Sequence, residues 1–147
     1  MIDPTGFLLT SIRDNAAVAA ISTRIRAGGP GPGDSAWVID PTTGAKRYKN
    51  RFAVLRRMPG ARLARNAVQT LNYVVFAYGI DAQDASAFYC AISDAAHNLD
   101  PRVNSAGIAI WNSRVVADNG SGKDPDTGQP YEEGLIEVLA PTQVVTI

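Results

Sequence analysis

The sequence predicts an α+β domain, a mainly antiparallel sheet packed against helices on one face. Three observations lead there. Apolar residues recur every three or four positions near the amino terminus and again over 82–99. Between and after these stretches lie short segments of alternating apolar and polar residues. Their order, helix, strands, helix, strands, is the pattern of segregated α and β layers rather than of repeating βα units. At 147 residues the chain is the size of one domain, so 1–147 is taken as a single unit.

Each element has a local reason. Asp3 precedes Pro4, so a helix over 4–13 would begin with a carboxylate accepting an orphan amide and a proline whose missing N–H costs nothing. Leu8, Leu9, Ile12 and Ala16 supply its apolar stripe. Asp14 or Asn15 can cap a short second turn through Ala16 to Ile21, as one bent helix or as two. GGPGPG at 28–33 ends regular structure and marks a flexible loop near 26–35. AWVID at 36–40 is a short strand and PTTG at 41–44 a turn.

RFAVLRR at 51–57 is the next strand, with Phe52, Val54 and Arg56 on one face and Ala53, Leu55 and Arg57 on the other. AVQTLNYVVFAYG at 67–79 alternates Leu71, Tyr73, Val75 and Ala77 with Asn72, Val74, Phe76 and Tyr78, which predicts a strand buried on both faces over half its length. The clearest helix spans 82–99, where Ala85, Phe88, Ile92, Ala95 or Ala96, and Leu99 share a face and Asp81 or Asp84 stabilises the amino end. Ile108, Ile110 and Val116 then mark strand, DNGSGKDPDTGQP at 118–130 a long flexible loop, and YEEGLIEVLAP the strand that closes the sheet.

Several functions are disfavoured at once. Cys90 is the sole cysteine, so neither an intrachain disulfide nor a thiolate zinc site can form. The start MIDPTGFLLTSIRD lacks the basic leader and long apolar core of a secretion signal. YVVFAYGI is far shorter than the roughly 20 apolar residues a spanning helix needs, so no membrane partner is expected.

Motifs for chemistry fail on spacing. NGSGKD at 119–124 suggests a phosphate loop, but the first required glycine falls on Ala117 and the residue after Lys123 is Asp124 rather than Ser or Thr. Asp118, Asp124, Asp126, Glu132 and Glu133 offer oxygen ligands without calcium-loop register, and a surface loop rich in Asx turns explains them better. Cys90 and His97 lie two helical turns apart, about 10 Å, too far for a catalytic pair. Neither a nucleophile elbow nor a dinucleotide fingerprint occurs. No catalytic, cofactor or metal residues are assigned, and an enzyme is not expected.

The informative feature is charge sorting. The chain sums to zero, yet residues 46–65 hold eight basic side chains and no acid, whereas residues 66–147 hold three basic and ten acidic. Unlike patches on one domain favour association between copies. A nucleic-acid module would more typically be net basic with aromatic platforms, and only Tyr48 and Phe52 lie near the block. The candidate interface is therefore Lys46, Arg47, Lys49, Arg51, Arg56, Arg57, Arg62 and Arg65 on one side, and Asp118, Asp124, Asp126, Glu132 and Glu133 on the other.

Three stretches that cover most of the chain, DNAAVAAISTRI at 14–25, LNYVVFAYGIDAQDASAFYCAI at 71–92, and AGIAIWNSRVV with DPDTGQPYEEGLIEVLA within 106–140, resemble the tail terminator, or tail completion, proteins of long-tailed bacteriophages and gene-transfer particles. None of these stretches is a sharp motif. The resemblance implies an α+β fold, six copies in a ring at the head-proximal end of the tail tube, and no catalytic residues. Implied partners are the tail tube protein, head-completion or connector proteins, and viral DNA passing through the lumen without sequence-specific recognition. Implied location is the virion tail, with assembly in the host cytoplasm. Another head-tail connector or tube component, and a nucleic-acid-binding module using 46–65, are the alternatives.

Overall fold

A computed structural model describes residues 2–28, 37–39, 42, 44, 46–48, 51–58, 63–65, 67–97 and 99–145, with the strands at 37–39, 46–48 and 63–65 described by their backbone. In chain order the elements are α1 (Thr5–Arg13), α2 (Ala16–Ile21), β1 (Ile25–Ala27), β2 (Trp37–Ile39), β3 (Lys46–Tyr48), β4 (Phe52–Arg57), β5 (Leu63–Arg65), β6 (Val68–Tyr78), α3 (Ala82–Ala96), β7 (Arg102–Val103), β8 (Ala109–Ile110), β9 (Asn112–Lys123) and β10 (Pro130–Pro141). The fold is α+β. The central sheet runs β1-β4-β6-β10-β9, with β5 also paired to β6. Every pair in it is antiparallel except β1 with β4.

Local signals explain the helices. Asp3 Oδ1 accepts the Thr5 N–H at 3.0 Å, although it is Pro4 that occupies the cap position, one residue later than the sequence suggests. Asn15 Oδ1 accepts from the N–H groups of Ala17 and Val18, so a fresh cap starts α2 and the chain forms two helices. Asp81 Oδ1 accepts from Asp84 N at 2.8 Å and begins α3.

One face of the sheet carries the core. Leu71, Tyr73, Val75 and Ala77 of β6 and Ile136, Val138 and Ala140 of β10 pack with Phe88, Tyr89 and Ile92 of α3 and Leu8 and Ile12 of α1. Full burial of both faces of β6 is confined to its end at Ala77 and Tyr78; its other residues alternate between buried and half-buried. β4 is buried on both faces from Phe52 to Leu55 and then exposed at Arg56 and Arg57. Away from the helices, Phe52, Val54 and Tyr78 form a second cluster, against which Phe76 and Tyr131 pack with ring centroids 5.5 Å apart.

The expected loop over 118–130 is corrected by the structure. β9 continues through the NGSGK run to Lys123, and only 124–129 turns back to β10. Glycine-rich composition reads as turn in isolation, but here a continuous ladder to β10 supplies the backbone partners that such residues lack alone. Two register shifts, between Glu133 and Gly134 and between Leu135 and Ile136, absorb the irregularity as bulges on the edge strand. Of the loop expected near 26–35, residues 26 and 27 belong to β1 and Gly28 follows; the remainder lies outside the described residues.

Candidate functional site

The strand register gives the sheet two unlike ends. β6 finishes at Tyr78, flanked by Phe52 and Tyr131, and the chain passes at once into α3. That end gathers Asp81, Asp84, Asp124, Asp126, Glu132 and Glu133 against Arg51 and Lys123. Arg56 and Arg57 close β4 midway along the sheet, opposite Val74 and Tyr73, and β5 sets Arg65 beside Val68 at the far end. Arg56, Arg57 and Arg65 thus lie farther along the strand axis than the carboxylates of the β9–β10 tip, while Arg51 and Lys123 share that tip.

Many of the charges are held within the chain. Arg51 Nε lies 3.2 Å from Asp84 Oδ1, and Arg57 Nη1 lies 3.3 Å from Asp3 Oδ2. Both pairs are solvent-exposed enough to contribute only about 0–1 kcal/mol each. Arg56 is exposed. Lys46 and Arg47 stand in β3, in register with Ile39 and Val38 of β2. Lys49 and Arg62 lie outside the described residues.

The acidic candidates separate into two kinds. Asp118 and Glu132 sit on the helix-facing side of the sheet, where Tyr89 Oη of α3 donates a hydrogen bond to Asp118 Oδ1. Burial, then the hydrogen bond and negative charge of Asp118, push the Tyr89 hydroxyl far above the ordinary tyrosine value; the charge of Glu132 adds to this and a hydrogen bond with Ser93 opposes it. Tyr89 Oη reaches this place because β10 has Gly134 beneath it, where an added Cβ would collide with the hydroxyl. Asp118 and Tyr89 therefore fasten α3 to the edge strand.

Asp124 organises the 124–129 turn. Its Oδ1 accepts from Asp126 N at 2.8 Å and Thr127 N at 3.1 Å, and its Oδ2 accepts from Tyr78 Oη at 3.4 Å. Asp126 and Glu133 remain the outward-facing members of this group, the first exposed and the second half-buried beside Phe76. Among the described residues no three His, Cys, Asp or Glu side chains gather in a metal-binding arrangement.

Cys90 is exposed on α3, whereas His97 Nδ1 accepts the Val115 N–H of β9 at 3.1 Å. Sequence reasoning missed Asp81 and Asp84 as parts of the acidic end, because both were already explained as helix caps. It also missed Tyr89, whose role depends on a contact 29 residues away in the chain.

No protein-family model matches the chain, and neither does any curated protein. Among solved structures, the fold is shared with a chain from the virion of a native gene transfer agent particle: the TM-score is 0.62 at 14% sequence identity, and the match covers 91% of each chain. The likeness spans both layers of the domain rather than one motif. It is a likeness of fold.

Proposed function

We propose that this chain is a structural protein of a phage-like virion, a tail terminator that closes into a ring, six copies in the family it resembles, at the head-proximal end of the tail tube. The observation that carries this reading is the end-to-end similarity of fold to a virion chain of a gene transfer agent. In this role the protein stops tube growth and offers a surface for head joining. Its partners are further copies of itself, the tube protein on one face and a head-completion or connector protein on the other. Viral DNA passes through the lumen without sequence readout.

The charge layout supports the ring. A head-to-tail contact between identical copies needs two different, complementary patches on each, and here an acidic end and a basic flank are separated along the strand axis. Catalysis is not needed for such a task, and two of the carboxylates at this end have structural work: Asp118 fastens α3 and Asp124 holds a turn. Use of residues 46–65 for DNA is less favoured because the chain is neutral overall and only Tyr48 and Phe52 lie near the block.

Replacing Arg56, Arg57, Arg62 and Arg65 together by glutamate tests the reading. Sedimentation velocity should show loss of the ring while far-UV circular dichroism stays unchanged. Normal folding with undiminished assembly would refute the basic flank as the ring contact.

A further inference from the structure

The central sheet ends in two unlike edges. Among the described residues β1 pairs with β4 alone and β9 with β10 alone. Arg24 O and Gly28 N–H both bond to β4, so in this parallel ladder the Ile25 carbonyl and both backbone groups of Ala27 turn to the outer side. There the Ile25 carbonyl meets the guanidinium of its neighbour Arg26 at a long 3.4 Å.

On β9, Asp124 N donates to Gln129 O, and the antiparallel alternation from that pair turns the backbone of Ser121 and Lys123 away from β10. Farther along the strand the Val115 N–H is taken by His97 Nδ1, and the register shift opposite Glu133 leaves Asn119 without a partner in β10. These two features bound the edge, so it suits a short strand and discourages open-ended pairing.

Direction, height and charge fit the two edges to each other. β1 runs parallel to β4, while β4, β6, β10 and β9 alternate, so β1 and β9 are opposed. Copies set side by side with their helices on the same face therefore meet as an antiparallel pair. Register across the sheet puts Ile25 level with Ala53, Ala77, Glu132 and Ser121. Residues 23–28 and 51–58 carry Arg24, Arg26, Arg51, Arg56 and Arg57 and no acid, whereas 118–126 carries Asp118, Asp124 and Asp126 against Lys123.

We infer that the outer side of β1 in one protomer pairs antiparallel with the Ser121–Lys123 stretch of β9 in the next, so that the central sheet runs on from copy to copy. The occupant is a second copy because one chain carries both edges, level with each other, opposed in direction and opposite in charge. Pairing between unlike edges is head-to-tail, the kind of contact that closes a ring. The inference rests on the ring reading and adds the strands that join the copies.

Ser121→Pro tests it, because the change removes an outward N–H at an edge position that tolerates proline and gives β10 no bond. Sedimentation velocity should show the ring lost while far-UV circular dichroism is unchanged. A second measurement crosslinks two forms of the full chain, both carrying Cys90→Ser, one with Ala27→Cys and the other with Ser121→Cys. All three positions are exposed and none of the changes alters charge. Rings assembled from the mixture and treated with a short bis-maleimide should give a heterodimer, and using Ser105→Cys in the β7–β8 turn instead of Ser121→Cys should abolish it. Rings confirmed by electron microscopy that give no heterodimer through positions 27 and 121, or a folded Ser121→Pro protein that still forms rings, overturn the edge pairing and leave the ring standing. Failure of the parent protein to form rings overturns both.

Discussion

Gly134→Ala probes the joint between α3 and the sheet. A Cβ at this position would collide with Tyr89 Oη and come within 2.8 Å of Tyr89 Cζ and 2.9 Å of the Ala117 carbonyl. The backbone oxygen cannot move without disturbing the β9–β10 ladder, so the tyrosine must tilt away and release Asp118. Overpacking of this sort costs about 1–3 kcal/mol. A hydrogen bond to a charged group contributes about 1.5–3 kcal/mol, and the low end applies because Asp118 is exposed and regains water. The total is about 2.5–4.5 kcal/mol, or a fall of roughly 5 to 18 °C in Tm for a domain of this size. Thermal unfolding followed by circular dichroism measures it. Combining Gly134→Ala with Tyr89→Phe removes the worst contact, so the two changes together should cost less than their sum. A fall in Tm below about 2 °C for Gly134→Ala, or strict additivity in the double variant, would refute this account of the joint.

Other predictions follow from single contacts. The Tyr89 hydroxyl is raised above its unfolded value of about 10, so the stabilisation is complete below that pH and is lost as alkali ionises tyrosine in the unfolded chain; urea titrations should show stability falling above about pH 10, with a shallower fall in Tyr89→Phe. Gln69, buried, donates through Nε2 to Ile2 O at 2.8 Å and Pro141 O at 3.0 Å, so Gln69→Leu should cost about 1–3 kcal/mol in urea unfolding by removing both hydrogen bonds. Asn15→Ala removes the cap of α2 and should cost about 1 kcal/mol in the same assay.

Local chemistry made much of the fold legible. The Asn15 and Asp81 caps, the helical stripe from Ala85 to Ala96 and the alternation along β6 each depend on residues close in sequence, and each appears where spacing places it, although the helix expected over 82–99 ends at Ala96. Features set by distant partners were not legible. Residues 118–123 look like a loop until β10 pairs with them, and the bulges opposite Glu133 to Ile136 have no composition signal. The parallel pairing of β1 with β4 depends on a 24-residue return from Ala27 to Phe52, whose course the letters do not specify.

For the candidate surface, sequence identified which residues are charged but not which are engaged. Asp118 reads as a loop acid, yet it is fastened to Tyr89; Arg51 and Arg57 read as free bases, yet each faces an acid far away in sequence. Ion pairs over such separations carry no periodicity, so no window of sequence reveals them. Arg56, Arg57 and Arg65 lie away from the β9–β10 tip along the strands, whereas Arg51 stands beside it.

Electron microscopy of the purified protein, alone and mixed with tail tubes of its own particle, is the most direct test of the central proposal. Closed rings of one fixed copy number that sit at a single end of each tube and prevent its extension are the predicted result. Particles that stay single at every concentration and salt, or that polymerise into tubes unaided, would contradict it.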